Sequence, residues 1–294
     1  MNGSFMEVLI TGLNTYLGRR AVSHLNSEEF KVTGLVRNLE LFNKRLNEPV
    51  TADLIEIDLF KTNTLSKNFS LGNLQLGIYF TQVPGLNDQL NMQMELISLR
   101  NFIQVCKENM CNRIVYVAQL MDSFYIDAIQ SLFEEHRVKY TVVLKCSAVG
   151  KGTIISDIFG RLAKSKFIPY WKLIGDLKFK PIPLLDVYRW IRTIPWEDNF
   201  IGEVIYLGGE ESLNYKQLFN QYMEVYHPDR EYKTFSIKKW LVKLVYTRFY
   251  RIHEENFDEF RRVMKYEAEV DNTSWSRKVH FTFTTINRCF LLDQ

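Results

Sequence analysis

The sequence predicts an α/β protein in which a doubly wound parallel sheet is joined to a small, mainly helical cap. Three observations support this prediction. An apolar run near the start of the chain leads through a glycine turn into a segment able to form a helix. Strand-like and helical segments then alternate over the first 145 residues, which is typical of a parallel sheet covered on both faces. Beyond that point the alternation stops.

The first strand is predicted in the apolar run at 8–10, and the turn after it contains Gly12 and Gly18. A segment able to form a helix follows at 19–25. Strand, glycine turn and helix together place backbone N–H groups where they can bind a nucleotide pyrophosphate. The usual fingerprint has three glycines at three-residue spacing, and here Thr15 replaces the middle one.

Five further strands follow in the first 145 residues. They are predicted at 31–36, 53–57, 76–80, 113–117 and 140–144. The longest helix is predicted at 87–109, where apolar residues recur at roughly helical spacing. Strands separated by helices imply crossover connections and therefore a parallel sheet.

The chain changes character after the sixth strand. The predicted elements there are a short helix near 156–164, an aromatic turn at 169–171, a proline-rich connector at 181–183, a helix near 186–193 and a strand at 204–207. From Leu213 onward the sequence is mostly helical, with a charged stretch at 254–265. We therefore assign residues 1–150, completed by about 181–209, to a nucleotide-binding domain, and residues 151–180 and 210–294 to the cap.

The charge of the chain does not favour a nucleic-acid partner. The net charge is +3 over 294 residues, and residues 231–294 carry 12 Lys/Arg and 9 Asp/Glu, which accounts for the whole excess. Charges interspersed in this way are typical of a solvated helix surface. The aromatic, basic stretch 236–250 is compatible with an interfacial helix, although a helix packed on the cap is the favoured interpretation.

Several broad classes of site and location are not indicated. No run approaches the roughly 18 apolar residues of a membrane span, and the first predicted strand begins near Met6, so we expect neither a membrane partner nor a targeting peptide. The cysteines (Cys106, Cys111, Cys146 and Cys289) and the five histidines show no ligand spacing. We expect free thiols, no metal site and a cytoplasmic location.

Seven short motifs occur in the order found in one known superfamily. They are Thr11–Gly18, Leu35–Asn38, Asp58–Leu59, Arg113–Ala118, Thr141–Gly150, Pro181–Val187 and Leu207–Tyr215. In this order they resemble the extended and atypical short-chain dehydrogenases/reductases, in particular the NmrA-like and predicted nucleoside-diphosphate-sugar epimerase-like proteins. The resemblance covers about residues 6–228. It implies a Rossmann fold that binds NAD(P).

The turn, the resemblance and the strand ends together indicate a set of cofactor-binding residues. They are Gly12, Leu13, Asn14, Thr15, Tyr16, Leu17, Gly18, Arg37, Asp58, Leu59, Thr81, Gln82, Val83, Ala118 and Gln119. The strand-end residues are included by position, because ligands lie outside the carboxyl ends of the strands in such folds. Thr15 has two interpretations: its side chain fills the space of a phosphate, or its hydroxyl donates a hydrogen bond to one.

Two of these residues bear on the choice of cofactor. Arg37 follows the second strand, where an acidic residue would favour NAD, and its guanidinium can bind a 2′-phosphate as a fork. NADP(H) is therefore favoured over NAD(H), the alternative being an ordinary surface arginine. Asp58 matches the aspartate that contacts adenine in the superfamily, and it is equally able to cap a helical turn.

The usual catalytic residues of the superfamily are not found at their expected positions. Competent members carry a Ser or Thr after the fifth strand and a Tyr-x-x-x-Lys pair on the next helix. Here the fifth strand ends in Ala118-Gln119, where the Ser or Thr is expected. Tyr125 is the one catalytic candidate, but the residue four positions after it is Ile129 instead of a lysine. Candidates for a substrate cleft are Lys145, Tyr170 and Trp171. For each of the three, a core or lid aromatic, or a surface lysine, is the favoured interpretation.

Three functions remain open from the sequence. The first is an atypical NADP(H)-dependent oxidoreductase acting on a small organic molecule. The second is a non-catalytic NADP(H) sensor of the NmrA-like kind with a regulatory protein partner. The third is a scaffold that no longer binds a cofactor. The missing catalytic pair counts against the first, and the retained glycines, Arg37 and Asp58 count against the third.

Overall fold

A computed structural model of the chain describes residues 5–27, 29–44, 50, 52–61, 70–83, 85–171 and 175–293. The chain divides into two compact units, which we treat separately. The first contains Met1–Ala118, Asp122–Leu144 and Tyr188–Ile205, and the second contains Gln119–Met121, Lys145–Val187 and Tyr206–Gln294. Within the described ranges, none of the helices is both long and apolar enough to cross a membrane.

The strands and helices alternate in the first half of the chain. The strands are β1 (Met6–Thr11), β2 (Phe30–Val36), β3 (Asp53–Glu56), β4 (Leu74–Phe80), β5 (Arg113–Gln119), β6 (Lys139–Lys145), β7 (Ala148–Val149), β8 (Phe167–Tyr170), β9 (Lys178–Phe179), β10 (Ile182–Pro183), β11 (Glu203–Leu207), β12 (Leu213–Asn214) and β13 (Lys233–Ser236). The α-helices are α1 (Tyr16–Leu25), α2 (Leu39–Lys44), α3 (Gln89–Glu108), α4 (Ile126–Glu135), α5 (Ile154–Leu162), α6 (Leu184–Ile191), α7 (Tyr215–Tyr226), α8 (Lys239–Leu244), α9 (Glu254–Tyr266), α10 (Thr273–Ser276) and α11 (Ile286–Leu292).

Seven strands form the central sheet in the order β11-β6-β5-β4-β1-β2-β3. The pairs β1–β2, β1–β4, β2–β3 and β4–β5 are all parallel. Strand β1 lies in the middle, where Val8 faces Val32 on one side and Leu76 on the other. The chain order reverses beside β1, so β1 and β4 flank the switch point at which doubly wound sheets bind ligands. The predicted α/β fold class is confirmed.

The core of the first unit lies between the sheet and its helices. Its buried members on one face include Tyr79, Tyr116, Phe102 and Phe133, and Tyr79 stacks on Tyr116 with ring centroids 5.4 Å apart. The sequence of a strand that is buried on both faces is a nearly continuous run of apolar residues. These strands can therefore be predicted from the sequence. Tyr188 stabilises the position of α1, because its hydroxyl donates a hydrogen bond to the Leu17 carbonyl at 2.7 Å.

The second unit has a separate core that is rich in aromatic rings. Phe159 contacts Tyr215, Phe219 and Tyr222 edge to face, with centroids 5.0 to 5.5 Å apart. Helix α7 begins with a capping box, in which Asn214 and Gln217 each bind the other's backbone N–H at 2.9 Å. Such reciprocal capping satisfies two donors that a helix end otherwise leaves without partners.

The structure changes several element predictions in the second half of the chain. The predicted aromatic turn at 169–171 is largely strand, since β8 pairs in parallel with β13. Part of the connector at 181–183 forms β10, which pairs with β7. The basic stretch at 238–251 is a six-residue helix, α8, followed by a π-helix over Val245–Phe249. These short pairings depend on partners distant in sequence, so periodicity alone does not show them.

Candidate functional site

The glycine turn brings α1 very close to the sheet. Gly12 has φ +83°, and a Cβ atom built there would lie 2.1 Å from the carbonyl oxygen of Phe80 on β4. A Cβ atom on Gly18 would lie 2.3 Å from the Gly12 carbonyl oxygen. Both glycines are therefore required by the packing of strand and helix. This is the role that the first and third glycines have in a dinucleotide-binding turn.

Thr15 occupies the N-cap position of α1. Its backbone is extended, its Oγ1 accepts from the Gly18 N–H at 3.1 Å, and the same hydroxyl donates to the Gly12 carbonyl at 2.8 Å. The hydroxyl proton is thus directed into the turn. The turn itself uses the proton in this conformation, and the expected hydrogen bond from the hydroxyl to a phosphate stays a prediction. The helix N-terminus and its dipole remain features that favour an anion.

The other residues of the turn divide between core and surface. Leu13 and Leu17 are buried, and the Leu13 side chain lies over Gly34 of β2, where a Cβ atom would approach it to 2.8 Å. Tyr16 is half-buried and Asn14 is exposed. Of the predicted turn residues, Leu13 and Asn14 line the neighbouring cavity. Their contact with a cofactor stays a prediction.

A cavity of about 640 Å³ lies beside the glycine turn within the first unit. Its lining includes Leu13, Asn14, Arg19, Val36, Arg37, Asn38, Glu56, Asp58, Phe60, Lys61 and Gln82. Ligand sites commonly have volumes of roughly 300–1,000 Å³. The cavity brings together four groups of predicted residues: the turn, Arg37, Asp58 and Gln82. It also adds two cations, Arg19 and Lys61, that the sequence analysis did not single out.

Three of the cavity residues form one charged cluster. The Arg37 Nε lies 3.3 Å from Asp58 Oδ2, and the Lys61 Nζ lies 3.7 Å from the same oxygen. The Arg37 guanidinium also lies over the Phe60 ring, 5.8 Å from its centroid. The Arg37 side chain is 70% exposed, so water screens its ion pair and the pair contributes little stability. An exposed guanidinium held in this way can bind an incoming phosphate at low cost.

Asp58 organises the turn after β3. Its Oδ1 accepts from the Phe60 N–H at 3.1 Å, and its carbonyl accepts from the Lys61 N–H at 3.0 Å. The turn-capping interpretation of Asp58 is therefore confirmed. Leu59 is buried, and its carbonyl accepts from the Asn101 side-chain amide of α3 at 2.7 Å. The turn that positions Lys61 is consequently fixed from both sides.

The loop after β4 is held by a buried glutamate. Glu95 of α3 accepts from the Val83 N–H at 2.9 Å, from the Gln82 N–H at 3.2 Å and from the Tyr116 hydroxyl at 3.2 Å. Burial raises the pKa of Glu95 to about 8, against the opposing effect of these donors. Thr81 donates to the Val117 carbonyl at 3.0 Å. A glutamate with this role gives no signal in the sequence, because its partners are two backbone N–H groups and the hydroxyl of a tyrosine on another strand.

The ends of β5 and β6 carry a second buried polar cluster. Ala118 is buried, and the Gln119 Oε1 accepts from the Lys145 ammonium at 2.8 Å. Glu267 accepts from both the Ser147 N–H at 3.0 Å and its hydroxyl at 2.8 Å. Burial raises the pKa of Glu267 to about 7. Lys145 is fully buried, so the alternative of a surface lysine is wrong, and its assignment to a substrate cleft stays a prediction.

The remaining catalytic and cleft candidates are Tyr125, Tyr170 and Trp171. Tyr125 is the residue before α4, and Ile129 is buried in the core of the first unit. The Tyr170 hydroxyl donates to Asp176, and burial together with this carboxylate raises its pKa to about 12. Trp171 packs against the core of the second unit. The catalytic and cleft roles of these residues stay predictions.

In the ranges that the structure describes, no cluster of His, Cys, Asp or Glu has the composition to hold a metal ion. The four cysteines are free and buried. The glycine turn, the exposed cations and the acceptor-rich Asp58 turn together fit a phosphorylated nucleotide.

Comparison with known proteins supports the fold. The structure is similar to a nucleoside-diphosphate-sugar epimerase from Staphylococcus aureus, with a TM-score of 0.64 and 16% identity over 97% of this chain and 99% of that one. It is also similar to the Citrobacter sp. triphenylmethane reductase complexed with NADP(H), with a TM-score of 0.71 and 13% identity over 98% and 100%. The chain has the fold of these enzymes.

A third structure extends this likeness to an NAD complex. The UDP-glucuronic acid 4-epimerase of Bacillus cereus, solved with UDP-glucuronic acid and NAD, has a TM-score of 0.69 and 12% identity over 98% of each chain. No family model and no curated protein sequence matches the chain. At such low identities the likeness concerns the Rossmann fold, which supports many chemistries, so function must be argued from the site.

Proposed function

We propose that this protein binds NADP(H) beside the glycine turn and acts as an atypical short-chain dehydrogenase/reductase-like oxidoreductase on a small organic substrate. The observation that carries the proposal is the convergence of Arg19, Arg37 and Lys61 on the cavity next to Gly12. A cation cluster at the end of β2 suits a cofactor with an additional phosphate on its adenosine ribose.

The 2′-phosphate would interact with Arg37 and Lys61. Both side chains are about two-thirds exposed, at 70% and 68%, and both lie near the single carboxylate of Asp58. A phosphate dianion adds two negative charges where the three groups now carry a net charge of +1. Its charge-assisted hydrogen bonds are stronger than solvent-screened ion pairs, so it can compete with Asp58 for both cations.

The adenine would lie near Asp58, as the resemblance implies. Among the described residues, the Oδ1 of Asp58 accepts the Phe60 N–H, and Oδ2 faces two cations. An ionised carboxylate has about four acceptor positions and can therefore bind several donors at once. Capping the turn and binding adenine are therefore compatible roles for this residue.

The pyrophosphate would bind at the N-terminus of α1. The Thr15 hydroxyl closes the turn on Gly12 and Gly18, so the helix dipole and backbone N–H groups supply the attraction for the anion. The bound cofactor supplies hydride transfer, and the task of the chain is to bind and orient it. Glu95 contributes by holding Gln82 and Val83 in place at the end of β4.

A fluorescence titration tests the proposal. The emission of NADPH should change on addition of the protein, with tighter binding than for NADH. Arg37→Ala should weaken NADPH binding about 10-fold or more, corresponding to roughly 1.5 kcal/mol for a lost charge-assisted hydrogen bond, and should change NADH binding less than 2-fold. Arg100→Ala, at an exposed arginine on α3, is the matched control. Equal losses for both cofactors would contradict the assignment of Arg37.

A second candidate function is an NADP(H) sensor that reports to a regulatory protein partner. The observation that favours it is Ile129, which is buried four residues after Tyr125, the spacing at which the resemblance implies a catalytic lysine. Oxidation of NADPH in the presence of a panel of aldehydes, ketones and quinones separates the two candidates. Turnover with any member of the panel supports the oxidoreductase. Tight NADPH binding without turnover supports the sensor, and no binding supports the scaffold.

A further inference from the structure

Residues 233–251 form a continuous surface segment with an unusual composition, which we call the basic–aromatic segment. It contains β13, α8 and the π-helix that follows. It carries six cations and no carboxylate, and the cations are Lys233, Lys238, Lys239, Lys243, Arg248 and Arg251. A chain with a net charge of only +3 thus concentrates twice that charge in 19 residues.

The inner side of the segment is firmly attached to the second unit. Val242 and Tyr246 are buried in its core. The Tyr246 hydroxyl donates to the Pro169 carbonyl at 3.1 Å, and the Tyr250 hydroxyl donates to the Phe167 carbonyl. The outer side is therefore displayed in a fixed position by a packed helix.

The outer side combines large apolar groups with cations. Trp240 is 74% exposed, Leu244 is 50% exposed and Phe249 is 76% exposed. Trp240 and Leu244 line a surface groove of about 710 Å³ together with Lys243, Arg248 and Arg251. Trp240, Leu244 and Arg248 are spaced four residues apart, which places them along one face of the helical segment. Clustered exposed apolar groups of this kind mark an interaction surface.

Strand β13 continues the same composition. Lys233 pairs with Phe167 and Phe235 pairs with Pro169 in the parallel ribbon of β13 and β8. Paired residues and residues two apart share a face, so Phe167, Lys233 and Phe235 project on the same side. Both phenylalanines are exposed. The basic–aromatic character is therefore not confined to the helix.

Most of the positive charge on the segment is not neutralised by the protein. Lys243 pairs with Glu254 at 3.1 Å and Asp258 at 3.4 Å, both from α9. Lys238, Lys239, Arg248 and Arg251 make no ion pair within the described ranges. The side chains that lie beside Trp240, Leu244 and Phe249 are thus available to an external anion.

We propose that the basic–aromatic segment binds the surface of an anionic lipid bilayer. Exposed Trp, Phe and Leu next to Lys and Arg are the composition of interfacial helices, whose rings enter the headgroup region while the cations bind anionic lipid. The proposed interaction is peripheral, at the level of the headgroups. Val242 packs α8 onto the second unit, as the favoured interpretation of a cap helix requires, and the proposal adds an interfacial role for the exposed side of the same helix.

The alternative occupants account for fewer of these features. A nucleic acid would bind the cations and stack on the rings, but it gains nothing from an exposed aliphatic side chain at the centre of the helix. An acidic protein would require a matching apolar surface. An anionic bilayer offers negatively charged headgroups to the cations and an apolar layer beneath them to the Trp, Leu and Phe side chains.

Vesicle flotation with the full chain tests the proposal. The protein should float with phosphatidylcholine vesicles that contain about one-third phosphatidylserine, and should not float with phosphatidylcholine alone. Arg248→Glu changes the charge by two, and at ~5-fold in affinity per charge it should weaken binding about 25-fold. Trp240→Ser should weaken binding to the same vesicles while leaving the charge unchanged. High salt should reduce binding of the wild type.

Two matched variants provide the controls. Lys216→Glu reverses an exposed charge on α7, and Trp196→Ser removes an exposed tryptophan of the first unit. Both should float like the wild type, and circular dichroism should show that all four variants are folded. Absence of binding to anionic vesicles would overturn the proposal, as would equal binding to neutral ones. Binding to a single-stranded oligonucleotide but not to vesicles would overturn it in favour of a nucleic-acid surface.

Discussion

Gly12 and Gly72 both adopt left-handed backbones, with φ +83° and +73°, but their described surroundings differ. A Cβ atom at Gly12 would meet the Phe80 carbonyl at 2.1 Å, whereas no atom of the residues that the structure describes lies within 4 Å of one at Gly72. The left-handed conformation costs any other residue about 1–2 kcal/mol, and forcing atoms into a packed site adds about 1–3 kcal/mol. Comparing variants at the two positions therefore separates the free-energy cost of backbone strain, which both carry, from the cost of the close contact at Gly12.

We predict that Gly12→Ala lowers the free energy of unfolding by at least twice as much as Gly72→Ala. Denaturant titration of both variants and the wild type measures the difference. Gly72→Ala should cost about 1–2 kcal/mol, since it carries the strain without the clash. Equal losses at the two positions would show that the turn after β1 does not approach β4 as closely as described.

Thr15 is the residue at which this turn departs from the usual glycine fingerprint. Thr15→Ala should lower the free energy of unfolding by about 1 kcal/mol, because it removes the N-cap acceptor for the Gly18 N–H. Thr15→Ser keeps the hydroxyl and should match the wild type within about 0.5 kcal/mol. Denaturant titration checks both values. A serine variant as unstable as the alanine variant would mean that the threonine methyl group, and not the cap, stabilises the turn.

At the scale of elements, α3 holds the carboxyl end of β4 through one carboxyl group. Glu95 has three hydrogen-bond donors around it and no contact with water, and burial raises its pKa from 4.5 to about 8. A carboxyl whose pKa is raised on folding binds its proton more tightly in the folded state. Its contribution to stability is complete below about pH 4.5 and is lost as the pH rises to about 8.

We predict that Glu95→Gln removes this pH dependence. At pH 5 the variant and the wild type should have similar free energies of unfolding. At pH 8 the variant should gain a few kcal/mol relative to the wild type, because it has no proton to lose. Denaturant titrations at the two pH values measure the change. Glu135→Gln, on the exposed side of α4, serves as the control, and a Glu95→Gln variant that tracks the wild type at both pH values would contradict this account.

The elements differ in how far the sequence predicted them. The strands of the central sheet were found to within two residues at most ends, because buried parallel strands are continuous apolar runs. The two-residue strands β7, β9, β10 and β12 were not found, since two residues carry no periodicity. The π-helix after α8 was also missed, because its sequence is as apolar and basic as that of an ordinary helix.

The sequence predicts those parts of the candidate site whose position is set by residues nearby in the chain. The glycine turn, Arg37 and Asp58 follow strand ends in the sequence, and the structure places them around one cavity. Arg19, Lys61 and Glu95 were missed for a common reason. The role of each depends on contacts that form only when the chain folds. The sequence around a surface lysine or a helical glutamate does not indicate which groups it will contact.

At the scale of the whole molecule, two units with separate cores carry two surfaces of different character. The first unit presents a nucleotide-sized cavity with three cations, and the second presents the basic–aromatic segment. The first unit includes Leu144 and the second includes Lys145, and the predicted domain boundary at residue 150 stays a prediction. Lys145, Ser147 and Glu267 thus belong to the second unit, where they form one buried cluster.

A crystal structure of the protein grown with saturating NADP⁺ tests the central claim most directly. We predict electron density along the N-terminus of α1, with the 2′-phosphate within hydrogen-bonding distance of the Arg37 guanidinium. The Thr15 hydroxyl should still bind the Gly12 carbonyl in that complex. A groove without cofactor density at saturation, or a cofactor whose 2′-phosphate lies away from Arg37, would contradict the account.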